Sequence, residues 1–82
     1  MSMVVYILQS EKNKRYYVGH TENLERRLIE HNSGNGLSTK YGVPWRIVRA
    51  ECFQSRKEAM EKEKKIKSRG IARYLTDVAP HG

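Results

Sequence analysis

The sequence predicts a small α/β domain of the α+β kind, in which helices flank a three-stranded, mainly antiparallel sheet. Apolar residues occur in short runs rather than evenly along the chain, and the runs alternate between strand-like and helix-like spacing. With 82 residues the chain has room for one hydrophobic core, so we expect a single domain over residues 1–82. A thin sheet covered by a few helices accommodates such runs.

The first two strands are predicted to form a hairpin. Residues 3–8 form a continuous apolar run rich in β-branched and aromatic side chains, which is typical of a strand buried on both faces. The polar residues 11–15 supply a turn, and strand character resumes at residues 16–19. Tyr6 and Tyr17 would then lie on neighbouring strands.

The first helix is predicted to begin after Thr21, whose hydroxyl can cap it, and Leu24, Leu28 and Ile29 then recur at helical spacing. Gly34 is positioned to end this helix. Residues 33–44 contain three glycines and a proline, a composition typical of an exposed but ordered loop. The mixture of apolar and polar residues at 45–53 predicts a third strand.

Two helices complete the predicted fold. Ser55 followed by Glu58 is the pattern of a capping box, which predicts a helix from there to about residue 68. Gly70 follows the end of this helix, and residues 71–78 predict a short third helix. The order β-β-α-β-α-α indicates a largely antiparallel sheet with helices packed against it.

The charge of the chain favours a polyanionic partner. Lys and Arg number 16 against 9 for Asp and Glu, which gives a formal charge of +7. Such an excess attracts nucleic acid or a membrane surface. The basic helices lack the apolar face that a membrane-surface helix needs, so we expect nucleic acid and no membrane association. The alternative is that the charge only keeps the protein soluble.

The cysteine content indicates a reducing compartment. Cys52 is the single cysteine, so an intrachain disulfide and a zinc site built of cysteines are excluded. We expect Cys52 to be a small core residue. Because the N-terminus lacks the layout of a signal peptide and no long apolar run follows, we expect a cytoplasmic protein.

A carboxylate interrupts the apolar face of the second predicted helix. Ala59, Glu63 and Ile66 follow one another at spacings of four and three residues and so share one face. Burying an ionised carboxylate is costly unless it is paired or binds a metal. Glu63 is therefore either a metal ligand or the partner of Lys67 in a salt bridge, and the spacing alone favours the salt bridge.

Other polar residues have both a chemical and a structural interpretation. Arg27 lies at the edge of the first helix's apolar face, where it can hold a phosphate or cover the core with its stem. His31 can shuttle a proton or interact with the helix dipole. Tyr6 and Tyr17 can orient a water molecule or act as a base, although tyrosine also simply suits half-buried strands.

Basic side chains are concentrated on the second predicted helix, where they outnumber the acidic ones. They can follow a phosphate backbone or form a solvated helix face. The side chains that we predict to bind nucleic acid are Lys40, Lys64, Lys65, Lys67 and Arg69.

Several of these residues occur together in an order that resembles the GIY-YIG endonuclease family. Residues 4–6 are Val-Val-Tyr, residues 17–19 are Tyr-Val-Gly, and Arg27 and Glu63 follow. Val4 stands where the first motif usually has glycine. The chain is most similar to the small single-domain bacterial members, which resemble excision-repair nucleases, and with which it shares the runs 19–21, 26–28 and 30–32.

The resemblance implies a metal-dependent DNA endonuclease. Tyr17, assisted by Tyr6 or His31, would position and deprotonate a water molecule. Arg27 would bind the scissile phosphate, and Glu63 would ligate one divalent ion, Mg²⁺ or Mn²⁺. The mechanism would be hydrolysis of a phosphodiester bond at a single metal ion.

The resemblance also implies partners. We expect the substrate to be DNA, with branched, nicked and single-stranded forms as candidates, in a repair-type reaction. Because the family's nucleases usually carry further DNA-binding domains, a partner protein would supply specificity, and the chain itself would be a monomer. The alternative function is a non-catalytic nucleic-acid-binding module or adaptor that keeps the fold.

Overall fold

The computed structural model describes residues 2–34 and 39–79. In chain order the elements are β1 (Met3–Ser10), β2 (Tyr16–Thr21), α1 (Leu24–Asn32), a 3₁₀ turn (Lys40–Gly42), β3 (Trp45–Phe53), α2 (Arg56–Arg69) and α3 (Ile71–Val78). The predicted order β-β-α-β-α-α is confirmed. The 3₁₀ turn occupies part of the predicted loop at 33–44, of which residues 35–38 lie outside the described residues.

The sheet has the order β2-β1-β3, and both strand pairs are antiparallel, as predicted. On the β1–β2 ladder Tyr6 pairs with Gly19, and Val5 pairs with His20. Because side chains alternate between the faces of a sheet, Tyr6 and Gly19 share one face while Val5 and His20 share the other. This alternation decides which side chains can meet at the edge formed by β2.

Both faces of the central strand β1 are buried, which confirms the interpretation of its continuous apolar run. The core on one face joins β1 to α2 and α3, and contains Val5, Ile7, Ala59, Ile66 and Tyr74. The core on the other face joins β1 and the start of β3 to α1, and contains Tyr6, Leu8, Trp45, Leu24 and Leu28. The two faces of the sheet are therefore covered by different helices.

The cap of α1 differs from the prediction. Asn23 is the N-cap, and its Oδ1 accepts the backbone amide of Arg26 at 3.0 Å. Thr21 instead uses its Oγ1 to accept the amide of Asn23 at 3.2 Å. The reason is that β2 continues to Thr21, so this residue remains part of the strand and the helix begins later.

The predicted signals at both ends of α2 are confirmed. Ser55 Oγ accepts the amide of Glu58 at 3.2 Å. Gly70 follows the helix with a φ of 96°, a conformation that glycine adopts at little cost, and its amide donates to the carbonyl of Ile66 at 3.0 Å. The turn at Gly70 leads directly into α3. Among the described residues, no helix combines the length and apolar character needed to cross a membrane.

The prediction that Cys52 is a core residue is wrong, because its side chain is exposed. Cys52 pairs with Val4 and Ala50 pairs with Tyr6, so both lie on the α1 face of the edge strand β3. The end of α1 is attached to the start of β3, where the amide of Trp45 donates to Asn32 Oδ1 at 2.6 Å. Ala50 is exposed as well, which indicates that the second half of β3 lies beyond the cover of α1.

Candidate active site

A pocket of about 400 Å³ opens at the edge of the sheet formed by β2. Five consecutive residues of β2, 16–20, line it, so it receives side chains from both faces of the sheet. The structure places five of the residues selected from the sequence around this pocket, and these are Tyr6, Tyr17, Arg27, Glu63 and Lys67.

Tyr6 reaches the pocket from the central strand by crossing over Gly19. An ideal Cβ placed on Gly19 would lie 2.7 Å from Tyr6 Oη and 3.0 Å from Tyr6 Cζ. Carbon and oxygen atoms that are not bonded do not approach so closely without displacement. The space that a side chain at position 19 would occupy is therefore filled by the tyrosine ring.

A buried chain of hydrogen bonds holds the Tyr6 hydroxyl. Tyr6 Oη lies 3.0 Å from His31 Nε2, and His31 Nδ1 lies 2.9 Å from Thr39 Oγ1. All three side chains are almost fully buried. His31 thus lies behind Tyr6 and does not itself line the pocket, although the sequence placed it among the catalytic candidates.

Burial determines the protonation of this chain. Burial, with the positive charge of Arg27, lowers the pKa of His31, so the imidazole is neutral at pH 7. A neutral imidazole has one donor and one acceptor nitrogen, so it can link the two hydroxyls in series. Burial also raises the pKa of Tyr6, against the opposing effect of the Arg27 guanidinium, and Tyr6 keeps its proton.

Tyr17 lies beside this chain. Its ring centroid is 6.2 Å from that of Tyr6 and 4.9 Å from that of His31, with an edge-on arrangement toward the imidazole. Its side chain is partly exposed, whereas Tyr6 is buried. The pocket is therefore lined by one partly exposed and one buried tyrosine.

Arg27 projects from α1 toward the tyrosines. Its Nη1 donates to Glu30 Oε2 at 2.8 Å, and its side chain is about half exposed. The Tyr6 hydroxyl and the Glu30 carboxylate both raise the pKa of Arg27, so the group stays charged. A guanidinium has five N–H donors, so the bond to Glu30 leaves donors for a phosphate.

Glu63 joins α2 to the sheet edge. Its Oε1 lies 2.8 Å from His20 Nδ1, and its Oε2 lies 2.9 Å from Lys67 Nζ. Burial by itself would raise the pKa of Glu63, but the hydrogen bonds from His20 and Lys67 outweigh it and hold the pKa below its usual value. The carboxylate is ionised at neutral pH, and the salt bridge with Lys67 that the spacing indicated is present.

The carboxylate of Glu63 also fits a magnesium site. It is ionised, its side chain is 17% exposed, and it lines an open pocket. Mg²⁺ prefers carboxylate oxygen, keeps several waters and uses substrate phosphate, so one protein ligand suffices. Within residues 2–34 and 39–79, no three His, Cys, Asp or Glu side chains converge in a way that would hold an ion without such help.

The basic residues selected from the sequence lie on different sides of the molecule. Lys67 lines the pocket. Lys64 and Lys65 border a hollow on the solvent side of α2, and Lys65 also borders a depression beside Phe53 of β3. The lysines of α2 therefore do not form a single row toward the pocket.

Two further residues that were predicted to bind nucleic acid, Arg69 and Lys40, do not line the pocket. The guanidinium of Arg69 forms two hydrogen bonds with Asp77 of α3, at 2.8 and 3.0 Å. Lys40 lies in the 3₁₀ turn, with Nζ 4.9 Å from the ring centroid of the exposed Tyr41. Arg69 thus links the last two helices, while Lys40 is presented to solvent beside an aromatic ring.

His20 is a polar residue of the pocket for which the sequence suggested no role. On β2 its side chain points to the opposite face from those of Tyr17 and Gly19, toward α2. Alternation along the strand could have indicated this direction. The contact with Glu63 itself spans 43 residues of sequence, so it has no local signal.

Comparisons with known proteins identify the family of this chain. The family model of the GIY-YIG catalytic domain matches residues 2–74. A UPF0213 protein of Bacillus licheniformis is 36% identical over 81 residues, which cover 94% of this chain and 82% of the relative. A UPF0213 protein of Haloquadratum walsbyi is 40% identical over 65 residues, which cover 78% of this chain and 72% of the relative.

A solved structure supports the same relationship. The solution NMR structure of a UPF0213 protein from Bacillus halodurans has a TM-score of 0.58 and 33% sequence identity, and the match covers 95% of this chain and 83% of that one. The resemblance noted in the sequence is confirmed by a family match that extends over most of the chain and by relatives above 30% identity. The chain belongs to the GIY-YIG family, whose domain is of the nuclease type and implies binding of nucleic acid.

Proposed function

We propose that the protein is a metal-dependent DNA endonuclease that hydrolyses phosphodiester bonds. One observation carries the proposal: two phenols, a permanently charged guanidinium and an ionised carboxylate line the same pocket. Hydrolysis of a phosphodiester requires a positioned water, a cation on the phosphate and stabilisation of the leaving oxygen. Each of these tasks has a suitable side chain in the pocket.

The tyrosines position the attacking water. Tyr17 is the more accessible phenol and contacts the water directly. Tyr6 keeps its proton, because burial raises its pKa, and its hydroxyl helps to orient the same water. A proton can leave through Tyr6 toward His31 Nε2, since a neutral imidazole can accept it there while Nδ1 bonds Thr39.

Arg27 and Glu63 act on the phosphate. Arg27 binds the non-bridging oxygens and stabilises the negative charge that grows on them. Glu63 would hold the divalent ion, and such an ion would supply Lewis-acid stabilisation of the leaving oxygen. His20 and Lys67 keep the carboxylate ionised and fixed in direction.

The alternative is a nucleic-acid-binding module without catalysis. It is favoured by the fact that both oxygens of Glu63 already have a partner, His20 and Lys67. If these contacts persisted in the presence of metal, the pocket would bind a phosphate through Arg27 without cleaving the phosphodiester bond. In either case we propose that a partner protein contributes specificity for a particular DNA form.

Cleavage assays separate the two functions. Supercoiled plasmid and nicked, branched and single-stranded oligonucleotides are incubated with the protein and Mg²⁺ or Mn²⁺. We expect cleavage by wild type and by Glu61→Gln, a matched control at an exposed position on the same helix. We expect its loss in Glu63→Gln and Arg27→Ala. DNA binding without cleavage by any form of the protein would favour the binding module.

A further inference from the structure

A second hollow adjoins the candidate active site. It has a volume of about 260 Å³, and His20 and Arg27 line both it and the first pocket. Its other walls come from Met3 of β1, from the residues that precede α1, from α1 itself and from Arg56 at the start of α2. The two hollows are therefore neighbours, with these two side chains between them.

Positive charge predominates in the second hollow. Among the described residues that line it are Arg26, Arg27 and Arg56, which come from two different helices. Glu22 and Glu30 also line it, so three guanidiniums face two carboxylates and the lining keeps an excess of one positive charge. Such a lining favours an anion that can replace the carboxylates as partner of the arginines.

The carboxylates hold Arg26 and Arg56 loosely. Arg56 Nη2 lies 3.9 Å from Glu22 Oε1, and Arg26 Nε lies 3.5 Å from Glu30 Oε1. The side chains of Arg26 and Arg56 are 76% and 64% exposed. Glu30 is also shared with Arg27, whose Nη1 is closer at 2.8 Å. Exposed pairs of this kind contribute little stability, so both guanidiniums can turn toward an incoming anion at small cost.

We propose that this hollow binds the backbone phosphate next to the one that Arg27 holds, so that Arg26 and Arg56 guide a nucleic-acid strand into the pocket. The inference rests on the proposed function. A nucleic-acid strand carries its phosphates in series, so two adjacent hollows that share Arg27 suit such a strand better than they suit a single small anion. The planar forks of arginine suit phosphate oxygens, and forks from two helices fix the direction of the strand.

The proposed path differs from one along the solvent face of α2. Lys65 lies on the same helix as Arg56 but borders the depression beside Phe53, on the β3 side. A strand that follows the two hollows passes Arg56 and does not reach Lys65, so this path departs from the sequence-based prediction that Lys65 binds nucleic acid. The two positions therefore form a matched pair for a test, since each substitution by glutamine removes one positive charge from α2.

Binding is measured by fluorescence anisotropy over a series of salt concentrations, in a Glu63→Gln background that prevents cleavage. Arg26→Gln, Arg56→Gln and the double variant are compared with Lys65→Gln, on single-stranded and duplex oligonucleotides. We expect the two arginine variants to bind several-fold more weakly. In the double variant the slope of log affinity against log salt should fall by about one, because one phosphate contact is lost. We expect Lys65→Gln to change neither quantity appreciably.

The outcomes distinguish the inference from the proposed function. The inference would be overturned, and the proposed function left intact, if the double variant kept wild-type affinity and salt slope while Arg27→Gln bound DNA more weakly. Equal losses in Lys65→Gln and the arginine variants would also overturn it, because only net charge would then matter. Absence of DNA binding in the Glu63→Gln parent itself would contradict both the inference and the proposed function. Thermal unfolding of each variant verifies that the exposed substitutions leave the fold unchanged.

Discussion

Gly19 and Tyr6 face each other across the β1–β2 ladder, and a Cβ at Gly19 would lie 2.7 Å from Tyr6 Oη. Tyr6 cannot easily move aside, because it is buried and its hydroxyl lies 3.0 Å from His31 Nε2. The missing side chain of Gly19 therefore provides the route by which a residue of the central strand reaches the pocket at the sheet edge.

Gly19→Ala should disturb both the fold and the site. We expect it to lower the free energy of unfolding by about 1–3 kcal/mol, the usual cost of overpacking, as measured by urea denaturation. Tyr6→Phe removes the atom closest to the added methyl group, so Gly19→Ala should be less destabilising in that background. Equal losses in the two backgrounds would show that the Tyr6 hydroxyl is not the group in conflict.

His31 should make the fold sensitive to mild acid. Burial, with the charge of Arg27, lowers the pKa of His31 below its usual 6.5. Below that pH the unfolded chain binds a proton at His31 more readily than the folded chain does, so the free energy of unfolding should decrease as the pH falls. The lowered pKa of Glu63 acts in a separate window, below its usual 4.5, where stability is again lost as the pH falls.

Urea denaturation between about pH 7 and pH 5, a range in which histidine titrates, isolates this contribution when wild type is compared with His31→Gln. All other side chains are the same in both proteins, so the comparison reports on position 31. We expect wild type to lose more stability than the variant over this range. Parallel losses in the two proteins would contradict the assignment to His31.

The fold was predictable from local signals. The unbroken apolar run in β1 indicates burial on both faces, and Ser55 and Gly70 mark the ends of α2 chemically. The cap of α1 was harder to predict, because Thr21 and Asn23 are both good capping residues and the length of β2 decides between them. The exposure of Cys52 depends on how far α1 extends over β3, which no local pattern records.

The candidate site was predictable where a polar residue breaks an apolar pattern. Glu63 interrupts the apolar face of one helix and Arg27 lies at the edge of another, so the sequence indicated both before any distance was known. His20 and Thr39 break no such pattern. His20 of β2 contacts Glu63 of α2, and Thr39, next to the 3₁₀ turn, contacts His31 of α1. Only the tertiary structure brings these elements together.

His20 and Glu63 should be energetically coupled. Their bond at 2.8 Å joins β2 to α2, and both side chains are mostly buried. A double-mutant cycle with His20→Ala, Glu63→Ala and the combined variant should give a coupling of about 1 kcal/mol at neutral pH, typical of a hydrogen bond of this kind. Additive losses would mean that His20 does not position the carboxylate.

Lys67 should compete with a metal ion for Glu63. Lys67 Nζ lies 2.9 Å from Glu63 Oε2. A divalent cation would be attracted to the same carboxylate oxygen, so the two positive charges would compete for it. Lys67→Met keeps most of the aliphatic stem and removes the charge. We expect it to bind Mn²⁺ about tenfold more tightly, a difference of about 1.4 kcal/mol, as measured by electron paramagnetic resonance of free Mn²⁺ or by calorimetry.

Lys64→Met is the matched control, since it removes the same charge from an exposed position on the same helix. A general effect of net charge would increase Mn²⁺ affinity equally in both variants and would contradict competition at Glu63. If Lys67 competes specifically at Glu63, the increase in Mn²⁺ affinity in Lys67→Met must disappear when Glu63→Gln is added. Tighter Mn²⁺ binding in Lys67→Met, together with its loss when Glu63→Gln is added, would assign the ion to the Glu63 carboxylate. The increase in affinity would then require both the absence of the Lys67 charge and the presence of the carboxylate.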